Sequence, residues 1–443
     1  MKPSVVRYLP NLLCNWLAEN QSGEHSQSQH RQILLFADAS GFTALTRNLS
    51  LSGRVGFEHL TDLLNTLFQS LETVIARHNG DILKFSGDAV WCCFPEDTDI
   101  IRVYAEMSQQ INDLNRNLPI CSEHPLSLHA GAGFGEFELL TAASSVGRAE
   151  FEICGECVAE VYRAGDIAKA GEICLTPGFL PLTTHLTPVR QQEEFRVHAP
   201  KPSEIPTDNG VHVEAKASRD DERIAGYLPA ALVDRIANSA GNDQPGSEHR
   251  RVSVVFVNVE STGSAVNSGD LQSHLIKIMD AVHEAKGVIA RIDPFAGGHK
   301  VLALFGAIVA SSGDSLYALR AAAEIAKITT PGFVNRLGLA AGPLLCGEVG
   351  SHNRREFTVM GNAVNLAAGL MSKADVGGLL LDGDSYRELG TYCNAVEKKL
   401  NLKGFDLPVA VYEFQSLRES QHKLEHPKQF FGRKNELSQL EEA

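Results

Sequence analysis

The sequence predicts a mixed α/β or α+β chain in which one unit is built twice, and three observations carry that reading. Strand-like apolar runs alternate with longer amphipathic stretches along the 443 residues. Tyr8-Leu9-Pro10-Asn11-Leu12-Leu13 recurs as Tyr227-Leu228-Pro229-Ala230-Ala231-Leu232, and His30-Arg31 recurs as His249-Arg250, both 219 positions apart (227 − 8 and 249 − 30). Each match precedes the same succession of elements, so the halves are expected to pair about a pseudo-twofold axis inside one chain.

The elements follow in order. A short amphipathic helix and a polar stretch open each unit; a strand, a long helix, a hairpin, a second helix and a strand running into glycine come next. In the first copy these fall at 33–37, 57–78, 82–94, 98–117 and 126–131; in the second, at 252–257, 271–286, 289–305, 315–328 and 337–342. Residues 200–221, rich in Pro, Lys, Glu and Asp, read as a solvated linker, and 241–248 as a second polar loop. The expected division is an N-terminal helical segment 1–30, a first domain 31–199, a linker and helix 200–249, a second domain 250–415 and a tail 416–443.

Composition narrows the function. A net charge of −14 and a pI near 5.6 argue against a nucleic-acid binder held by phosphate contacts. No apolar run approaches the roughly 20 residues of a membrane span, and the longest, near 301–310, is broken by Gly306. Lys2 and Arg7 precede a stretch interrupted by Asn11, Asn15 and Glu19, unlike a secretory signal. A cytoplasmic protein is expected. The nine cysteines fit reduced thiols better than a disulfide framework, and Cys154-Gly-Glu-Cys157 has no second pair at zinc-site spacing.

Chemistry concentrates in two short segments, Phe36-Ala-Asp38-Ala-Ser40-Gly41-Phe42-Thr43 and Gly80-Asp-Ile-Leu-Lys84-Phe-Ser-Gly87-Asp88. Asp38 and Asp88 each follow or interrupt an apolar strand run, which sets them at strand ends or turns. Such tips suit Mg²⁺ or Ca²⁺, which take hard oxygen ligands and the phosphates of a nucleotide. Ser40-Gly41-Phe42-Thr43 offers backbone N–H groups at a helix start. The second copy lacks these acids: Val257-Asn258-Val259-Glu260 stands at the first tip, and Phe295-Ala-Gly-Gly-His299 in the region of the second.

With Phe357-Thr358-Val-Met-Gly361-Asn-Ala-Val-Asn365-Leu-Ala-Ala, these segments resemble the paired catalytic domains of class III nucleotidyl cyclases, nearest to soluble adenylyl cyclase and its bacterial relatives. The resemblance covers about 31–195 and 250–415. It implies an α+β fold of two tandem ferredoxin-like domains forming an intramolecular pseudo-twofold heterodimer. It also implies conversion of ATP to 3′,5′-cyclic AMP and pyrophosphate, with two Mg²⁺ or Mn²⁺ ions on Asp38 and Asp88.

By the same resemblance Thr358 and Arg291 read the base, a pair that leans toward adenine. Asn365 orients the ribose and Lys403 meets the terminal phosphates. Where relatives carry an Arg four residues after Asn365, this chain has Gly369. Lys373, Arg354 and Arg355 are the nearby cations available to replace it. Gly369 keeps open a second reading, a nucleotide-binding pseudo-cyclase that regulates an attached module; a guanylyl cyclase is the third.

The degenerate cleft of soluble adenylyl cyclase takes bicarbonate on a Lys and an Arg. Lys84 matches the Lys, while the Arg position reads Tyr162 with Arg163 beside it; pairing of Lys84 with Asp81 or Asp88 is the alternative. Phe430-Phe-Gly-Arg-Lys-Asn-Glu-Leu resembles the opening of an ATPase module of large signalling ATPases, so a C-terminal module is an expected partner.

Overall fold

The computed structural model describes residues 5–20, 27–42, 45–46, 49, 53–118, 120–121, 124–182, 187–200, 221–238, 247–263, 267–402 and 408–418. The first half runs through α1 (Asn11–Glu19), β1 (Gln27–Ser40), α2 (Gly53–Arg77), β2 (Asp81–Ser86), β3 (Ala89–Phe94), α3 (Ile100–Asn117) and β4 (Ser127–Ala143). It continues with β5 (Ala149–Cys154), α4 (Glu156–Ile167), β6 (Ile173–Leu175), β7 (Arg190–Gln192) and β8 (Phe195–His198).

The second half repeats the plan after α5 (Asp221–Ala225) and α6 (Ala230–Asn238): β9 (Glu248–Ser261), α7 (Ser268–Glu284), β10 (Val288–Phe295), β11 (Gly298–Phe305), α8 (Asp314–Lys327) and β12 (Phe333–Gly350). Then come β13 (Arg355–Met360), α9 (Asn362–Met371), β14 (Leu379–Asp382), α10 (Gly383–Leu389), β15 (Cys393–Leu400) and β16 (Val409–Leu417).

Both sheets have one topology. The first is ordered β2-β3-β1-β4-β6-β8-β7 with β5 on β4, the second β10-β11-β9-β12-β14-β16-β15 with β13 on β12. The α+β class and the tandem organisation expected from the sequence are thus the observed ones. The strand expected at 126–131 is the start of the 17-residue β4, whose far end carries β5. Sequence patterning missed that extension because Gly131, Gly133 and Gly135 interrupt the apolar run in its middle.

Helices pack on both faces of the sheets. On the first, Leu63, Leu67, Phe68, Leu71, Val74 and Ile75 of α2 meet Val103, Tyr104 and Met107 of α3 over the β-strands. On the other face α4 and α9 lie directly on the long strands. A Cβ at Gly131 would stand 2.1 Å from the Val161 carbonyl oxygen, and one at Gly338 2.1 Å from that of Ala367. Only glycine lets helix and strand approach so closely. Each helix is entered through a glycine at positive φ, Gly155 at 120° and Gly361 at 146°.

The repeated Tyr-Leu-Pro segments cross between halves. Tyr8 packs with Leu232, Phe357 and Val359 of the second half, and its hydroxyl donates to Glu348 of β12. Tyr227 packs with Leu139, Phe151 and Ile153 of the first. Among the described residues no helix is long and apolar enough to cross a membrane.

Candidate active site at the domain interface

Antiparallel pairing places Asp38 between two strands, opposite Ala89 of β3 and opposite His129 of β4. Asp88 is the residue before Ala89, in the β2–β3 turn, so two acids 50 positions apart (88 − 38) converge. Burial pushes the Asp88 carboxyl up to about 7, helped by the neighbouring Asp38 charge; its own backbone N–H and the Arg291 guanidinium act the other way. The Asp38 side chain is 31% exposed, with Oδ2 3.5 Å from His129 Nε2.

An acid that resists ionising beside a second carboxylate is the condition a divalent cation relieves. The donors are hard oxygens and only two in number, as suits Mg²⁺ or Mn²⁺ sharing its sphere with phosphates and water. Among the described residues no group of three or more His, Cys, Asp or Glu forms a closed metal cage.

Ser40 Oγ shares a 2.9 Å hydrogen bond with His129 Nδ1, so His129 spans Ser40 and Asp38. Gly41 turns the chain at φ 96°, where a Cβ would meet the Pro125 carbonyl oxygen at 2.9 Å. Phe42 is buried in the first-half core, an anchor for this turn. Thr43 and Lys403 lie outside the described residues.

Across the interface, Arg291 of β10 and Thr358 of β13, 67 positions apart, are in contact: Arg291 Nη1 donates to Thr358 Oγ1 at 3.3 Å. Arg291 Nε donates to Asp293 Oδ2 at 2.7 Å, and Asp293 Oδ1 accepts from Ser86 Oγ of the first half at 2.6 Å. Asn365 is exposed on α9, and Gly369 lies one turn further on that helix.

The proposed replacements for the missing Arg are placed differently from expectation. Arg354 is 5% exposed and donates to the carbonyl oxygens of Tyr8, Ile82, Leu83 and Arg355 and to Glu356 Oε1. Arg355 is equally buried, against Ser351 O and Glu348 Oε2. Arg354 holds the interface together and Arg355 braces the β12–β13 hairpin beside it, because a buried guanidinium must satisfy its donors on the nearest acceptors. Lys373 is exposed but lies beyond the end of α9 at Met371, so it does not continue the helical face of Asn365.

In the degenerate half, Asn258 pairs with Lys300 as Asp38 pairs with Ala89, and buried His299 precedes Lys300 as Asp88 precedes Ala89. Lys300 extends over the rings of Phe295 and Tyr162, at 4.9 and 5.6 Å. Lys84 bonds to neither Asp81 nor Asp88. Its buried ammonium donates to Phe151 O at 2.8 Å, Ile292 O at 2.6 Å and Glu152 Oε2 at 3.4 Å. Three donors are thereby used. Burial pushes Glu152 up to about 8 despite the Lys84 charge.

Arg163 is exposed on α4. It stands eight residues past Gly155, as Gly369 stands eight past Gly361 (163 − 155 and 369 − 361), so pseudo-symmetry equates Gly369 with Arg163 and not with Tyr162. The nine cysteines are all buried and free, with Cys154 and Cys157 both pushed up to about 12 by burial, the state of inert thiols.

His129 and Asp293 escaped the sequence reading. Asp293 has a local signal: it stands two positions after Arg291, as Ser86 stands two after Lys84, on equivalent hairpin strands. His129 has none short of knowing that β4 pairs with β1.

No protein-family model matches the chain. It is similar to adenylate cyclase type 10 of Rattus norvegicus, 26% identical over 430 residues that span 87% of this chain and 26% of that protein. The protein of the same name from Homo sapiens is 27% identical over 382 residues, 76% of this chain and 23% of that one. The chain therefore spans about a quarter of the length of these curated relatives. Among solved structures, a class III adenylyl cyclase-like ATP-binding protein from Pseudomonas aeruginosa shares the fold, with a TM-score of 0.56 and 14% identity over 82% of this chain and 85% of that chain.

Proposed function

For a chain that resembles the class III nucleotidyl cyclases, and soluble adenylyl cyclase among them, we propose adenylyl cyclase activity where Asp38 and Asp88 of one half meet Arg291 and Thr358 of the other. The observation that carries this reading is the convergence of two carboxylates from one half beside an Arg–Thr pair from the other. The Arg291 charge reaches Asp88 across that interface.

In this reading Asp38 and Asp88 hold two divalent ions, Mg²⁺ or Mn²⁺, which when bound acidify the ribose 3′-hydroxyl and offset charge on the leaving pyrophosphate. Thr358 Oγ1 accepts from the adenine amino group while an Arg291 N–H donates to a ring nitrogen. The Asn365 amide orients the ribose so that the 3′-oxygen lies in line with the α-phosphorus. The new 3′-O–P bond forms as the P–O bond to pyrophosphate breaks, and the hydroxyl proton leaves to water.

Gly369 limits this enzyme. One missing donor on the α-phosphate lowers the rate by a factor on the order of 10²–10³. With Arg354 committed to the interface and Arg355 to Ser351 and Glu348 of its own half, the same observation favours a second reading: a nucleotide binder with little turnover that regulates an attached module.

A cyclase assay with Mg²⁺ and with Mn²⁺ on the parent, Asp88→Ala and Gly369→Arg separates the two. Cyclic AMP from the parent that disappears in Asp88→Ala supports the enzyme. A silent parent woken by Gly369→Arg supports the binder. GTP turned over in preference to ATP would point instead to a guanylyl cyclase.

A further inference from the structure

Ser86 and Asp293 occupy the same place in the two halves. Each ends or nearly ends the first strand of its hairpin, and each stands two residues beyond a cation, Lys84 or Arg291, at a register shift. They bond to each other at 2.6 Å, so the pseudo-twofold axis passes between them. From Asp293 the contact runs on: its second carboxylate oxygen accepts from Arg291 Nε at 2.7 Å, and Arg291 Nη1 reaches Thr358 at 3.3 Å.

We propose that Asp293 is a positioning residue for base selection, and that Ser86 ties its aim to the hairpin that carries Asp88. The inference rests on the adenine-reading role given above to Arg291 and Thr358. Asp293 touches no substrate in this scheme; it acts through Arg291.

The chemistry is that of a charge-assisted clamp. A long Arg side chain near an interface samples many rotamers, and a carboxylate on its Nε holds the planar fork in one orientation. With Nε on Asp293 and one Nη1 proton on Thr358, the guanidinium has Nη2 left to donate to the acceptor edge of a purine. Among the described residues Nη2 has no other hydrogen-bond partner.

Asp293 has a second effect on selection. Guanine presents N–H donors on the edge where adenine presents a ring acceptor, and a carboxylate with both oxygens unengaged would welcome them. Here Ser86 donates to Oδ1 and Arg291 to Oδ2, so both oxygens are already turned onto protein donors and are weaker acceptors for guanine than a free carboxylate. Ser86 lies two residues before Asp88, so the same bond joins the metal-bearing hairpin to the base reader.

Calorimetric binding of ATP and of GTP, each with Mg²⁺, to the parent, Asp293→Asn, Ser86→Ala and the double variant tests this without requiring turnover. The parent is expected to prefer ATP. Asp293→Asn, nearly isosteric, should weaken ATP by on the order of tenfold and narrow the ATP-to-GTP ratio, as expected for loss of a hydrogen bond to a charged group. Ser86→Ala should move the ratio in the same direction by less, and the double variant should be no worse than Asp293→Asn, since both act through one carboxylate.

An ATP preference unchanged in both single variants overturns the inference and leaves the functional reading standing. A parent that binds neither nucleotide overturns both. A uniform loss for ATP and GTP with the ratio intact also overturns it, because that is what a merely structural acid would give.

Discussion

His129 Nε2 lies 3.5 Å from Asp38 Oδ2 while its Nδ1 shares a 2.9 Å hydrogen bond with Ser40 Oγ, so one imidazole on β4 spans two residues of the neighbouring strand. The contact follows from register, since Asp38 and His129 are directly opposed partners. An imidazole so placed would orient the carboxylate proposed to hold metal, and loss of such support typically lowers metal affinity by about 10–100-fold. His129→Ala is therefore expected to raise the Mg²⁺ concentration needed for half-saturation by about that factor at constant fold. Titration of metal into the variant, with circular dichroism as the check on folding, decides it; unchanged affinity removes His129 from the site.

Asp88 gives the site a pH signature. Its folded value of about 7 lies above the ordinary 3.8, so the stability it contributes to the metal-free protein is complete below the ordinary value and is lost as pH rises through about 7. A cation needs the ionised form and must expel the proton below that point. Calorimetry in buffers of different ionisation enthalpy should record about one proton released per binding event near pH 6 and almost none near pH 8.5. Asp88→Asn should abolish the release. Metal affinity that is flat across this range contradicts the assignment.

Gly369 offers two separable effects. A Cβ there would stand 3.9 Å from Leu402 atoms, ordinary contact, so a side chain fits without moving the helix. Gly369→Ala should stabilise the fold by about 0.5–1 kcal/mol, the helical cost of glycine, with no gain in rate. Gly369→Arg should keep that stability and raise kcat by a factor on the order of 10²–10³. Urea unfolding and initial-rate measurements on the two variants distinguish them; equal rates would show that position 369 is not aimed at substrate.

Arg354 predicts the opposite pattern, a large effect on folding. Its guanidinium binds carbonyl oxygens of the N-terminal segment and of β2 as well as Glu356, and it is 5% exposed. Arg354→Ala leaves those buried carbonyl oxygens without their donor and removes the cation partner of half-buried Glu356, at a cost of about 3–5 kcal/mol. Urea unfolding should show the loss, and Arg354→Lys should recover little because an ammonium offers fewer donors in the wrong geometry. A loss under about 1 kcal/mol would mean that water replaces the guanidinium at this interface.

Much of the scaffold was legible because local physics writes it into the chain. Apolar runs at 33–37 and 252–257 became the central strands β1 and β9, and the hairpins and flanking helices fell within a few residues of their expected limits. The Arg291–Thr358 contact was foreshadowed by the resemblance, although nothing local connects residues 67 positions apart. Where the Lys84, Arg354 and Arg355 side chains bond was not legible, for one reason. A cation near a glycine turn or a strand start carries no mark of whether it will face solvent, a ligand or buried carbonyls, and here it faces carbonyls.

Residue order alone carries the duplication, the alternation of strand and helix, and the asymmetry that leaves the acids in one half and Val257-Asn258-Val259-Glu260 and His299 in the other. These are properties of residue type and order, and they survive without knowledge of what touches what. That His129 stands beside Asp38, that Ser86 meets Asp293 and that Lys84 is spent on the interface emerges only when the chain is folded. Each of those contacts joins strands brought together by sheet pairing or by the pseudo-twofold axis. The selection among partners is made by desolvation, which obliges every buried donor to find an acceptor wherever the fold supplies one.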